Sequence, residues 1–152
     1  LLDAEIIAIG EHGERRIAAS DFFEAPLTTC LHTTEIVTAV ELPRLTIGTG
    51  WGFEEFSQRR GDFAVAGVAA IVTKDGDVLS DVRIAVFGAH NTPLRAVRAE
   101  QAMREAGIDA AVDMLRLEID PSGDLRGSKD YRRHLAGVLC KRALHGAMER
   151  AA

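Results

Sequence analysis

The sequence predicts an α+β fold: a small antiparallel β-sheet packed against a C-terminal helical bundle. Three observations predict it. The first half carries short alternating or apolar runs separated by glycine-bearing turns, the pattern of strands. From Thr92 onward Ala, Arg, Glu and Leu recur at helical spacing, interrupted at Gly107 and Pro121. The chain has 152 residues, 47% hydrophobic and 27% charged, which is long enough for a core without staples and too apolar for disorder.

Residues 4–9 are apolar-rich, Glu11-His12-Gly13-Glu14 reads as a turn, and residues 15–18 return, so the chain opens on a β-hairpin. Ser20-Asp21-Phe22-Phe23 reads as a capped short turn. Residues 35–42 (EIVTAVEL) alternate, with Ile36, Thr38, Val40 and Leu42 on one face and Val37 and Ala39 on the other; Pro43 ends the strand because it has no N–H for a ladder. Gly48-Thr49-Gly50-Trp51-Gly52 reads as a flexible break that also lets backbones pack closely. Residues 51–58 form a strand with aromatics at 51, 53 and 56. Residues 63–73 and 82–88 pair as an antiparallel hairpin about the turn Lys74-Asp75-Gly76-Asp77. Thr92 and Pro93 mark the start of a helix over 95–106 that Gly107 stops. A second helix covers 109–119, with Ala110, Met114 and Leu117 at helical spacing. A third runs from a Ser128 cap to about Arg150, with Tyr131, Leu135, Val138, Leu139 and Ala143 sharing its apolar face and Arg132, Arg133, Lys141 and Arg142 lying largely elsewhere.

Net charge is −5, the reverse of a nucleic-acid footprint. The longest apolar run, residues 63–72, is too short for a membrane span. Cys30 and Cys140 are too few for a disulfide framework and too far apart for one metal site, so free thiols in a reducing compartment are expected. No leader pattern opens the chain, which favours the cytoplasm. The start at Leu1, without an initiator Met, suggests a fragment. The five histidines (12, 32, 90, 134, 145) show no metal-ligand spacing. The 48–52 glycines lack the strand-to-helix context and the Lys-Ser/Thr of a phosphate loop. There is no Gly-x-Ser-x-Gly, so no catalytic residue and no metal ligand are assigned.

Three segments, in order, carry a resemblance. The first is Pro26-Leu27-Thr28-Thr29 with Thr34-Glu35-Ile36-Val37 and Glu41-Leu42-Pro43. The second is Gly50-Trp51-Gly52-Phe53-Glu54 with Arg59-Arg60-Gly61-Asp62-Phe63-Ala64. The third is Asp124-Leu125-Arg126-Gly127-Ser128-Lys129-Asp130-Tyr131-Arg132, then Leu135-Ala136-Gly137 and Lys141-Arg142-Ala143-Leu144. Together with Arg83-Ile84-Ala85-Val86 and Thr92-Pro93-Leu94-Arg95-Ala96, these resemble the C-terminal half of the FAD-binding medium subunit of molybdenum hydroxylases. The carbon monoxide dehydrogenase medium chain is the nearest type and the xanthine dehydrogenase FAD subunit a more distant one.

The resemblance implies that residues 1–43 are the tail of the FAD-binding domain, a β-hairpin remnant, and that 44–152 are a carbon monoxide dehydrogenase flavoprotein-type C-terminal domain. It implies FAD as cofactor of the full subunit. The two glycine-rich loops that grip the pyrophosphate in the family do not occur in this sequence, so the chain alone is not expected to retain FAD. The resemblance also implies a molybdopterin-binding large subunit and a 2Fe–2S small subunit as partners. Electrons would pass from substrate through the iron–sulfur clusters and FAD to an external acceptor. By match of position, Val37, Trp51, Phe53 and Glu54 would border the isoalloxazine ring; Glu54 stands where some members carry Lys. A flat ring favours aromatic contacts, and nearby charge tunes flavin electronics. The alternative class is a cofactor-free docking domain for partner subunits.

Overall fold

The computed structural model describes residues 1–151. It has an α+β fold that divides into two compact units, one of Leu2–Leu45 and one that begins at Thr46 and takes in Leu1.

In the first unit, β1 (Glu5–Gly10) and β2 (Gly13–Ala18) form the expected hairpin, in register from Glu5 opposite Ala18 to Gly10 opposite Gly13. Gly13 takes φ 99°, a left-handed conformation that a β-carbon would strain. The next four residues, Ala19–Phe22 (α1), form a single helical turn in place of the side-chain-capped turn expected at Ser20. The turn begins without a side-chain cap, and the Ser20 hydroxyl is spent on Asp21. Short β3 (Phe23–Ala25) and β4 (Thr28–Thr29) pair with each other. The strand β5 (Ile36–Glu41) joins the free side of β1, so the hairpin becomes a three-stranded antiparallel sheet, β2-β1-β5. Its small core is Ile6, Ala8, Ile17 and Phe22.

The second unit holds a four-stranded antiparallel sheet in the order β6-β7-β8-β9, formed by β6 (Thr49–Phe56), β7 (Ala66–Asp75), β8 (Val78–Phe87) and β9 (Leu94–Arg95). The turn at Gly76, φ 59°, closes the hairpin that Asp75-Gly76 foretells. Cross-strand partners Val68–Val86, Ala70–Ile84 and Val72–Val82 cover one sheet face and are fully buried. Onto this sheet pack α4 (Lys129–Arg150), across β6 and β7, and α2 (Val97–Ala106), against β8; α3 (Ile108–Glu118) lies between the helices, touching both.

Three expectations change in this unit. The 48–52 segment is no flexible turn: all but Gly48 belong to β6. The helix expected at 95 begins at Val97, because Leu94 and Arg95 extend the sheet opposite Val86 and Ala85. Thr92 is not its cap; the free N–H groups of Arg98 and Ala99 donate to the Glu118 carboxylate at 3.2 and 3.1 Å. A carboxylate at a helix N-terminus satisfies orphan donors and the helix dipole together. In α4 the Ser128 hydroxyl does accept the Tyr131 N–H, at 3.2 Å. Of its expected apolar face, Leu139 and Ala143 are buried, Leu135 and Val138 half-buried and Tyr131 exposed; buried with them are Arg132, Ala136, Gly137, Cys140, Leu144 and Ala147. Arg132 is only 6% exposed because backbone carbonyls and a carboxylate meet it there. Its Nη1 donates to Val65 O and Gly88 O, both at 2.7 Å, and its Nη2 pairs with Asp124 at 2.6 Å.

Candidate functional site

The two faces of β6 have opposite residue types. On one face, Gly50 and Gly52 sit under α4. A β-carbon at Gly52 would run into the backbone of Ala143, and one at Gly50 into the carbonyl of Ala147 and the amide of Ala151. The helix therefore lies directly on the strand, which requires glycine on that side. The other face carries Trp51 and Phe53, each 54% exposed. Side chains alternate along a strand, so the glycines that admit the helix also fix where the aromatics point.

The aromatics are held from both sides. Phe53 stacks on Phe87 of β8, with ring centroids 5.6 Å apart and planes 25° from parallel. Phe87 crosses β7 over Gly67, where a β-carbon would occupy the ring's own position. Arg150, from the last turn of α4, lies over the Trp51 ring with its guanidinium carbon 4.6 Å from the centroid. Its Nη1 also donates to Trp51 O at 3.0 Å and to Gly146 O at 2.8 Å. A groove of about 360 Å³ runs beside β6 and is bordered by Trp51, Phe53, Glu54, Arg142, His145 and Arg150. Trp51, Phe53 and Glu54 all border this groove, but they do not share a face of β6: Glu54 follows Gly50 and Gly52 on the helix-facing side, opposite Val68, while Trp51 and Phe53 point the other way.

Val37 lies on β5, in the first unit, opposite Ala8 and 38% exposed. All six residues of that edge strand are exposed. The neighbouring Glu35 accepts from Arg15 at 2.6 and 2.8 Å and from the His32 backbone N–H at 2.7 Å. These bonds, that to Arg15 foremost, hold its carboxyl at about 2, below its ordinary 4.5.

The described residues fit a flat ring better than they fit phosphates. Trp51 and Phe53 offer half-exposed aromatic surface for ring stacking, beside a groove whose other border is charged, with Arg142, Glu149 and Arg150. Among the described residues no glycine-rich loop leads into a helix N-terminus in the manner of a pyrophosphate site. Nor does any group of three or more His, Cys, Asp or Glu side chains there stand ready to hold a metal ion. Among the described residues no helix is long and apolar enough to cross a membrane. Cys30 and Cys140 are free, and burial pushes the Cys140 thiol up to about 12, removing it as a nucleophile. The basic residues of α4 form no open cationic stripe: Arg132 is buried, and Lys141 pairs with Asp109 at 2.7 Å.

Of these groups, Phe87, Gly67 and Arg150 escape the sequence reading. A strand glycine whose cross-strand neighbour is Phe is the one local signal for the first two.

Comparison with known proteins gives a consistent family. Residues 51–147 match the model of the CO dehydrogenase flavoprotein C-terminal domain, and residues 1–45 that of the FAD binding domain in molybdopterin dehydrogenase. The carbon monoxide dehydrogenase medium chain of Hydrogenophaga pseudoflava is 33% identical over 156 residues, covering 99% of this chain and 54% of that relative. The glyceraldehyde dehydrogenase medium chain of Sulfolobus acidocaldarius is 34% identical over 147 residues, covering 93% of this chain and 52% of the relative. The chain so spans about half the length of the curated relatives it matches. A solved structure of the Hydrogenophaga carbon monoxide dehydrogenase superposes with a TM-score of 0.93 at 35% identity, over 99% of this chain and 54% of the solved one.

Proposed function

The chain belongs to the family of CO dehydrogenase flavoprotein C-terminal domains, and from that premise we propose that it is part of the flavin-carrying medium subunit of a molybdenum-containing hydroxylase or dehydrogenase. The observation that carries the reading is the succession of the two family matches along one chain, an FAD-binding segment over 1–45 and the C-terminal domain over 51–147. On this reading residues 1–43 close the FAD-binding domain and 44–152 form the C-terminal domain.

When bound, FAD supplies the redox relay between iron–sulfur clusters and an external acceptor. This chain's residues bind and orient the ring. Within the second unit Trp51 and Phe53 present the aromatic wall, and Glu54 brings a negative charge to the groove they border, from the other side of the strand; within the first unit Val37 is the aliphatic residue that the family resemblance assigns to the ring. The partners are a molybdopterin-binding large subunit, where substrate is oxidised, and a 2Fe–2S small subunit. The setting is the cytoplasm, in keeping with the two free cysteines.

The test has two arms. The 152-residue chain alone should purify colourless and leave FAD fluorescence unquenched at micromolar concentration. One aromatic wall contributes only about 0.5–1.5 kcal/mol beyond burial, against an association cost of about 4–15 kcal/mol. A chimera in which this chain replaces the corresponding part of the Hydrogenophaga medium chain should carry flavin absorption and release FAD on denaturation. A chimera that folds and stays flavin-free would overturn the reading.

A further inference from the structure

Arg150 is the last residue of α4, and its side chain folds back along the helix rather than out to solvent. Two features show that this pose is built. Gly146 lies one turn earlier, and a β-carbon there would stand 2.8 Å from Arg150 Nη1, so glycine clears the path. The same Nη1 reaches both the Gly146 carbonyl and the Trp51 carbonyl, which ties the helix end to the strand at the residue whose ring the guanidinium covers. Among the described residues no carboxylate comes within ion-pair distance of Arg150, so its charge is directed at the ring and the two carbonyls.

A cation over an indole face is attracted by the ring quadrupole. It also removes one of the ring's two faces from play while Trp51 stays 54% exposed. We propose that Arg150, given room by Gly146, is a positioning residue that locks the Trp51 indole as a one-sided stacking platform for the flavin ring. This rests on the flavin-wall reading above. The competing role is simple capping of the helix C-terminus, in which the Arg150 hydrogen bonds to carbonyls matter and the ring contact does not.

Trp51 is the only tryptophan, so its indole N–H gives one NMR cross-peak and its near-ultraviolet circular dichroism reports one ring. The experiment records both signals for the 152-residue chain, for Arg150→Ala and for Gly146→Ala, with and without FMN at millimolar concentration. In Gly146→Ala the arginine is retained and helix propensity rises, so this variant should melt no lower than the parent. Both variants should lose the Trp51 dichroism and move the indole peak, and both should weaken the FMN-induced indole shift by about two- to fivefold, the size of an exposed cation–π contact. Arg150→Lys, which keeps the charge over the ring, should recover part of the loss.

Unchanged Trp51 signals in both variants would overturn the positioning role and leave Arg150 as a cap. Altered Trp51 signals with an undiminished FMN shift would overturn the platform. Failure of the flavin-wall reading looks different: the parent chain's indole peak would itself ignore FMN, which also overturns the proposal, whatever the variants do.

Discussion

The two larger sheets of this chain are held by different forces. The sheet β2-β1-β5 has four residues in its core cluster, and its strands are tied across their polar side. Arg16 bridges Glu5 at 2.9 Å and Glu41 at 2.6 Å, and Arg15 clasps Glu35. The sheet β6-β7-β8-β9 depends on area: its helix-facing side is apolar, and the helices reach it wherever small residues let them. Exposed ion pairs such as those of Arg16 are individually weak and screened by salt, that of Glu35, whose side chain is 8% exposed, less so, whereas each buried aliphatic contributes about 1.5–3 kcal/mol. The second sheet can therefore expose Trp51 and Phe53 on its other face without losing its hold, while the first leaves Ile36, Val37 and Val40 of β5 exposed and buries few side chains.

The largest effect should come from the closest approach. Gly52→Ala puts a methyl group into the backbone of Ala143, and only movement of α4 can relieve it. The cost should reach at least about 3 kcal/mol, the upper end of overpacking, read from chemical denaturation followed by circular dichroism. A variant that melts like the parent would show that α4 is not seated on β6 in this way. Next comes Leu139→Ala, which empties a buried site on α4 and should cost about 2–5 kcal/mol. A change within error would mean the buried face of α4 is wrongly placed.

On the opposite face of the same strand, the expected effects shrink. Phe53→Ala and Trp51→Ala should each cost only about 0.5–1.5 kcal/mol, the value of a half-exposed aromatic or cation–π contact. Both should lower flavin retention in the chimera out of proportion to that loss. Were either to destabilise as much as Leu139→Ala, the aromatics would belong to the core and the wall would lose its rationale.

What could be read from the sequence follows the range of the interactions. The Ser128 cap and the Asp75-Gly76 turn are local, and both appear in the structure. The Thr92-Pro93 signal is local too, yet it loses, because the capping carboxylate comes from Glu118, twenty residues from Arg98. Arg132 reads as a surface residue on any helical wheel; the carbonyls of Val65 and Gly88 that bury it are remote in sequence. For the glycines at 50 and 52 the expected close backbone packing holds and the expected break does not; the backbone they admit is unreadable locally, since Ala143 lies 91 residues from Gly52. The candidate site divides in the same way. Trp51 and Phe53 are legible as alternating strand aromatics. Arg150 is not, since it meets Trp51 across 99 positions.

The smallest effect tests the electrostatic side of the comparison. Glu35 is held at about 2 rather than its ordinary 4.5, chiefly by Arg15 and then by the His32 N–H, and Glu41 is lowered by Arg16 in the same direction. A carboxyl whose folded value is depressed stabilises the fold fully above its unfolded value, and that contribution fades as pH falls through the folded value. The window for Glu35 is therefore from about 4.5 down to about 2. Across it, amide protection factors, corrected for the intrinsic exchange rate at each pH, should fall in β1 and β5 while those of β7, set in an apolar core, respond little. The Glu35→Gln variant should exchange faster in β1 and β5 already at neutral pH and show a shallower acid response, because the titrating group is gone. Hydrogen exchange followed by NMR reads both sheets in one sample. Equal acid responses in the two sheets, or an acid response in β5 that survives Glu35→Gln undiminished, would mean that the first sheet is not held by its ion pairs.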